Sequence, residues 1–372
     1  VKGLLVRLLF DVTRLLESGL HTGIQRVVRC LLRAGQQAPK TLGAQVAPVR
    51  FDGDRWYLLP GVAPHPLEGG VTAPQSTGVE FMPGEGDHLL MFDASWYLEP
   101  WRAVDRALGQ GAMVHAMVHD VLPVEQPGWF RPGLQKRFAD HLEALLCRAG
   151  VIFVPTIHVQ ERLLSYAANT SRSVRLECLP HGGDFLSGDP LVSPRGLPEI
   201  LQTTHEPVFL VTGTLEPRKQ HGLILDAFDE LWKHNHPARL LFVGRTGWKV
   251  DPLIERIANH PNLNDRLFHM QQVDDGTLDW LYRHVDGLIY LSRDEGFGLP
   301  VLEASMRGCP VIATDLPVLH EAGGRWPLFI SPCKEALTQA VLNFGPHKPA
   351  LAGRTWASTF ARLVAILEDA HA

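Results

Sequence analysis

Few features of this chain point to an oxidising compartment, a nucleic acid or a lipid bilayer. Its five cysteines, Cys30, Cys147, Cys178, Cys309 and Cys333, are odd in number and far apart. They form no C-x-x-C pair and no His/Cys spacing that suits zinc, so reduced core thiols are expected rather than a disulfide framework or a zinc site. A formal charge of -5 lacks the basic excess that grips phosphate backbones. Nucleic acid is therefore not expected as a partner, and Arg26/Arg29 and Arg131/Lys136/Arg137 remain as local basic docking surfaces. No apolar run reaches the length of a membrane span. The opening Val1 to Phe10 carries Lys2 and Arg7, runs straight into Asp11 and reads as a buried strand without a cleavage site. A cytoplasmic protein is expected, with membrane association at most peripheral. No G-x-G-x-x-G follows a strand, which argues against an NAD-dependent oxidoreductase, and no internal repeat or low-complexity tract is present.

What the chain does have is length and a regular alternation. Its 372 residues, 45% of them apolar and 20% charged, exceed one ordinary core and suit two folded domains. Short apolar runs alternate with amphipathic stretches, the pattern of a parallel sheet covered by helices on both faces. The fold class is α/β. Strands are expected at Leu4 to Val12, Leu89 to Phe92, Ala112 to His119, Val151 to Val154 and Val174 to Leu179, then at Val208 to Thr212, Arg239 to Val243, Leu267 to Met270, Gly287 to Leu291 and Val311 to Ala313. The Gly/Pro/Ser-rich stretch Phe185 to Pro198 reads as a linker. This divides the chain into a first Rossmann-like domain over 1–185, a second over 186–352 with its linker at about 186–206, and a last amphipathic helix in 353–372 that must pack on something. Open α/β sheets bind ligands beyond the carboxyl ends of their strands, so functional residues are expected just after strands.

The strongest local signal is S-R-D-E-G-F-G-L-P-V-L-E, Ser292 to Glu303. It reads as strand, glycine-rich loop and helix, with Pro300 at the first helical position and Glu303 in the first turn. Gly296 and Gly298 permit close backbone approach, and free N–H groups at a helix start suit a phosphate. A carboxylate cannot bind phosphate, so Glu295 and Glu303 must address hydroxyl groups or positive charge. A nucleoside diphosphate sugar meets both demands. After the strand Val208 to Thr212 comes Gly213, then Arg218 and Lys219 at another strand-to-helix turn, where a cation pair can neutralise a diphosphate without a metal.

The run E-G-F-G-L-P-V-L-E resembles the E-x7-E signature of glycosyltransferase family 4, and the turn carrying Arg218 and Lys219 resembles that family's G-x-x-x-x-R-K segment. The opening D-V-T-R-L-L, T-G-I-Q-R-V (Thr22 to Val27) and H-D-V-L-P (His119 to Pro123) resemble its mannosyltransferase-like members from bacterial surface polysaccharide pathways. The resemblance implies a GT-B fold of two facing Rossmann-like domains with a cleft between them, the acceptor domain in 1–185, the donor domain in 186–352 and the helix of 353–372 packing back on the first domain, and a retaining transfer. It implies that Glu303 binds the donor ribose, Glu295 the hydroxyls of the transferred sugar, and the backbone of Phe297, Gly298 and Leu299 the diphosphate and sugar. Gly213, Arg218 and Lys219 then serve the diphosphate, Gly244 lies beneath the nucleotide, and the segment ending at Val273 reads the base. Gly23 belongs to a loop closing on donor phosphates or acceptor, and His119 lies beside the transferred sugar. Glu295, His119, Arg218 and Lys219 are thus the catalytic candidates. The donor is expected to be GDP-mannose, the acceptor a glycan or lipid-linked saccharide of O-antigen synthesis, with no metal or other cofactor. Rival readings are a nucleotide-sugar epimerase or phosphorylase of the same superfold, and a non-catalytic glycan- or nucleotide-binding protein.

Overall fold

Buried apolar runs such as Leu8 to Phe10 in the first sheet and VFLVT in the second, covered on both faces, form the centres of two mainly parallel sheets. The computed structural model describes residues 6–18, 22–39, 42–59, 78–168, 175–185, 194, 196–345 and 350–369. The beginning of the expected first strand, Val174 and most of the expected linker lie outside the described residues. The strands are β1 (Val6–Asp11), β2 (Ala44–Asp52), β3 (Arg55–Leu58), β4 (Val79–Phe81), β5 (Asp87–Met91), β6 (Met113–Met117), β7 (Val151–Val154), β8 (Leu176–Cys178), β9 (Val208–Thr212), β10 (Arg239–Val243), β11 (Leu267–Met270), β12 (Gly287–Tyr290), β13 (Val311–Thr314) and β14 (Leu328–Ile330). The α-helices are α1 (Thr13–Ser18), α2 (Gly23–Gln37), α3 (Trp101–Gly109), α4 (Leu122–Glu125), α5 (Leu134–Arg148), α6 (Ile157–Ala168), α7 (Glu199–Thr203), α8 (His221–Lys233), α9 (Asp251–Ala258), α10 (Asp275–His284), α11 (Leu299–Ser305), α12 (Pro317–Gly323), α13 (Lys334–Leu342) and α14 (Trp356–Asp369).

Two units result. The first comprises Val1–Pro127, Pro132–Gly182 and Arg354–Ala372; the second comprises Gly128–Arg131 and Gly183–Gly353. The first sheet has the order β4-β3-β2-β1-β5-β6-β7-β8, parallel from β2 through β8 and antiparallel at β2–β3 and β3–β4. The second is wholly parallel in the order β11-β10-β9-β12-β13-β14, the doubly wound arrangement whose direction of winding reverses between β9 and β12. Helix α14 completes the first unit: Thr359 Oγ1 donates to the Pro180 carbonyl at 3.0 Å, and a Cβ on Gly35 of α2 would meet Phe360 at 2.6 Å. Only glycine lets α2 and α14 approach so closely. Within the second unit, Trp248 Nε1 donates to the Trp129 carbonyl at 2.7 Å, which holds the Gly128–Arg131 excursion.

Several expectations need correction. Strands β2, β3 and β4 carry no expected counterpart, because Pro48 interrupts the β2 run and proline ordinarily argues against a strand flanked on both sides. Here Pro48 sits opposite Phe10 and its carbonyl accepts from the Leu59 N–H at 3.1 Å. Of the cysteines, only Cys30 and Cys309 are buried; Cys147 and Cys333 are exposed. Arg29 is buried, so Arg26/Arg29 is no basic docking surface.

Candidate functional site

The two loops at the switch point of the second sheet are laced together. Strand β9 ends at Thr212 and is followed by Gly213, whose φ of 122° is a conformation that side chains disfavour. A single 3₁₀ turn, Pro217–Lys219, follows. Strand β12 ends beside it, and the Arg293 N–H donates to the Arg218 carbonyl at 2.8 Å. Arg218 Nη1 donates to the Asp294 carbonyl at 3.0 Å, and Gln220 Nε2 to the Leu291 carbonyl at 3.1 Å. Residues distant in sequence are thereby set against each other.

At the centre lies Glu295, 6% exposed. Its Oε2 is 2.7 Å from Arg218 Nη1, its Oε1 is 2.5 Å from Lys219 Nζ, and Oε1 also accepts from Ser292 Oγ at 2.6 Å. Arg218 Nη2 pairs with Glu216 Oε1 at 2.7 Å, and Lys219 Nζ donates to the Tyr290 hydroxyl at 2.6 Å. Burial pushes the Glu295 carboxyl up, but Arg218 and Lys219 outweigh it and hold the group well below the usual carboxylate range. Burial and the Arg218 charge lower Lys219, partly offset by Glu295, whereas the Glu295 and Glu216 charges overcome burial and raise Arg218. Two cations and two anions make a cluster neutral overall. Such an array fixes its own geometry and can exchange partners: a bound anion can take over the cations while Glu295 turns to hydroxyl groups. Arg218 Nε is buried without a hydrogen-bond partner, an orphan donor inside the cluster.

Glu303 is held separately but nearby. Helix α11 starts at Leu299, capped by Gly298 in the left-handed region with φ 96°, so Pro300 is the second helical residue and Glu303 the fifth. Neither first-position proline nor first-turn glutamate holds, because the cap is placed one residue earlier than the sequence signals suggest. Glu303 Oε2 accepts from Tyr282 of α10 at 3.1 Å, and that hydroxyl is 3.5 Å from Thr212 Oγ1, at the end of β9. A Cβ on Gly213 would lie 3.7 Å from Lys219 Nζ. Thr212 and Gly213 thus connect the Glu303 pair to the Glu295 cluster. The Phe297 and Leu299 side chains are buried, leaving their backbone as what they can offer a ligand.

Gly244 has a packing role. A Cβ there would collide with the Gly213 carbonyl, and its own N–H and C=O are engaged by Met270 and His269 at 2.9 Å each. Val273 is half-buried against the second unit's core. In the first unit, Gly23 opens α2 and His119 follows β6, with Nε2 2.8 Å from the Phe92 carbonyl. A carbonyl only accepts, so Nε2 carries the proton and Nδ1 is the acceptor. Burial pushes His119 down to about 4, so it is neutral at physiological pH.

Sequence reasoning missed Glu216, Tyr290, Ser292, Tyr282 and Thr212, although Glu216, Tyr290 and Ser292 lie within a few residues of the recognised motifs. It also missed Asp11 and Asp93 at the ends of neighbouring strands β1 and β5. Asp11 accepts from the Thr13 hydroxyl at 2.6 Å, and Asp93 from Gln25 Nε2 of α2 at 2.6 Å. Burial, with a smaller contribution from Asp93, pushes Asp11 up to about 7.

With this geometry in place, residues 197–342 match the family model described as glycosyl transferases group 1. The second unit carries a group 1 glycosyltransferase domain. That domain contains the whole Glu295–Arg218–Lys219 cluster and Glu303. Across 328 residues, 85% of the chain, the sequence is 33% identical to the serotype-specific mannosyltransferase WbdA of Escherichia coli. The chain spans only 38% of that relative's length. Among solved structures, Anabaena Alr3699/HepE in complex with UDP-glucose aligns with a TM-score of 0.59 at 14% identity, covering 97% of this chain and 94% of that one. The N-terminal domain of Candida albicans trehalose-6-phosphate phosphatase aligns with a TM-score of 0.65 at 15% identity, over 100% and 99%. At such identities the likeness shows the fold, an α/β protein of two Rossmann-like parallel-sheet domains.

Proposed function

We propose that the protein is a retaining hexosyltransferase that moves a mannosyl group from GDP-mannose to a glycan or lipid-linked acceptor in surface polysaccharide synthesis. The observation that carries the reading is the buried Glu295 carboxylate, bridging Arg218 and Lys219 at the switch point of a group 1 glycosyltransferase domain. The 33% identity to a mannosyltransferase supports the choice of sugar.

In this reading the donor diphosphate displaces Glu295 from the two cations and satisfies the orphan Arg218 Nε–H. Released, Glu295 accepts from hydroxyls of the transferred sugar, while Glu303, set by Tyr282, accepts from the ribose. Charge developing on the departing diphosphate is stabilised by Arg218 and Lys219, which are pre-positioned and desolvated, so little reorganisation is needed as the bond breaks. These cations are suited to do the work that a divalent metal does elsewhere, and metal-independent transfer is part of the proposal. His119, neutral with Nδ1 as acceptor, can orient a sugar hydroxyl but cannot serve as an acid. No helix among the described residues is long and apolar enough to cross a membrane; a lipid-linked acceptor would bring the protein to a cytoplasmic membrane surface peripherally.

The test is thermal unfolding against GDP-, UDP- and dTDP-sugars followed by transfer assays with the stabilising donor. A ligand selective for the native state at a hundred times its Kd adds about 2.7 kcal/mol. Stabilisation by GDP-mannose, with mannosyl transfer lost in Glu295→Gln, is expected. Sugar phosphate or an isomerised donor formed without acceptor would instead indicate a phosphorylase or an epimerase.

A further inference from the structure

Beside the Arg218–Lys219 turn, within the second unit, opens a cavity of about 230 Å³ lined by Glu216, His221, Gly222, Lys249 and the first residues of α9. Two helices begin on it. Helix α8 runs 13 residues from His221 and α9 runs 8 from Asp251, and neither has a side-chain hydrogen bond capping its start. The first N–H groups of each helix have no acceptor within it, and the aligned peptide dipoles leave partial positive charge there. Lys249 adds a full charge: its Nζ donates to the Gly128 carbonyl at 2.7 Å, a neutral partner, and among the described residues it pairs with no carboxylate.

His221 points independently to a ligand. It is 2% exposed and lines the cavity, yet neither ring nitrogen has a hydrogen-bond partner. A neutral imidazole carries one donor and one acceptor, and leaving both unmet in a buried position is uncommon. Burial, together with the charges of Lys219 and His269, pushes His221 down to about 3, so it enters as a neutral donor. Two acids face the same region. Glu216 is neutralised by Arg218 at 2.7 Å, and Asp251 is exposed at the α9 start.

We propose that this cavity binds a phosphomonoester group, seated on the starts of α8 and α9 between Lys249 and His221, at a position distinct from that of the donor diphosphate. A phosphate dianion offers acceptor oxygens enough for both helix starts, the ammonium and the imidazole N–H at once. The site reaches the transfer machinery through Glu216, which faces the cavity and holds Arg218. The assignment does not depend on glycosyl transfer, because its readout is anion binding.

The test is histidine ring NMR on the full chain, titrated at constant ionic strength with inorganic phosphate in one arm and a hexose phosphate in the other. The His221 ring resonances are expected to shift saturably, with tighter binding of the ester if the natural ligand is a sugar phosphate and equal binding if it is free phosphate. Lys249→Ala and Gly222→Asp should each weaken that binding tenfold or more. A Cβ at Gly222 meets nothing within 4 Å, and an acidic residue in a first helical turn is favourable, so Gly222→Asp should keep or raise the Tm while losing the anion. A His221 signal indifferent to phosphate, or a response unchanged in both variants, overturns the proposal.

Discussion

Lys219 Nζ and Glu295 Oε1 lie 2.5 Å apart across 76 positions of sequence, Glu295 buried and Lys219 nearly so, each the other's nearest opposite charge. Removing Glu295 strands the Lys219 charge, which costs about 3–5 kcal/mol in a buried pair, whereas removing Lys219 leaves Glu295 its pairing with Arg218 and costs less. Lys219→Ala and Glu295→Ala are therefore expected to lower the melting temperature as well as to cut transfer by at least about a hundredfold. In a double-mutant cycle the stability losses should fall short of additivity by about 0.5–3 kcal/mol. Additive losses in calorimetry would mean that the pair does not couple in solution.

The Tyr282 hydroxyl is the donor that sets Glu303. Tyr282→Phe keeps the ring in its core position and removes one hydrogen bond to a carboxylate, worth about 1.5–3 kcal/mol. The expected result is a donor KM raised by roughly tenfold or more with kcat little changed, since the proposed ribose contact is made equally in ground and transition states. An equal fall of kcat and kcat/KM would place Glu303 in the chemistry instead.

Asp11, pushed up to about 7 by burial, titrates far above the 3.9 or so of an unfolded chain. Between those values the folded state binds more protons, so its contribution to stability is present below about 4 and is lost as the pH rises through 7. Asp11→Asn should consequently gain stability over the wild type on the order of 2–4 kcal/mol at pH 8 and almost none at pH 4. Paired denaturant titrations at the two pH values check this; a gain independent of pH would assign the effect to packing.

Gly244 admits no side chain because the Gly213 carbonyl occupies the space. Gly244→Ala should separate the ends of β9 and β10, reduce stability by a few kcal/mol and abolish donor binding, whereas Gly222→Ala, which meets open space, should do neither. Thermal unfolding with and without donor distinguishes the two variants.

Much of this was legible in the sequence where local signals and global packing agree. The second unit's strands β9 through β13 are mostly apolar runs of the kind parallel sheets require, and Glu295, Arg218 and Lys219 stand at strand-to-helix turns marked by glycine and proline, with Glu303 in the helix that follows one of them. What could not be read was mutual placement. Nothing local says that Glu295 neutralises the two cations assigned to a phosphate, that Tyr290 and Tyr282 from core positions direct hydroxyls at Lys219 and Glu303, or that Gly244 yields to a neighbouring carbonyl. Those depend on β9 and β12 lying side by side, a pairing across 76 or more positions that periodicity does not encode. In the first unit, Pro48 hid a central strand, and with it the sheet order that makes Asp11 and Asp93 neighbours.

Helix α14 follows the second unit in sequence but belongs to the unit whose strands precede that second unit. Until it leaves the ribosome, the flank of α2 at Gly35 faces water, and everything from Gly183 to Gly353 has already emerged. The second unit can therefore complete its core while the first still waits for a missing wall. During that interval the nascent protein displays an apolar stripe that only α14 can close, which makes the emergence of that helix the step at which chaperone protection matters most.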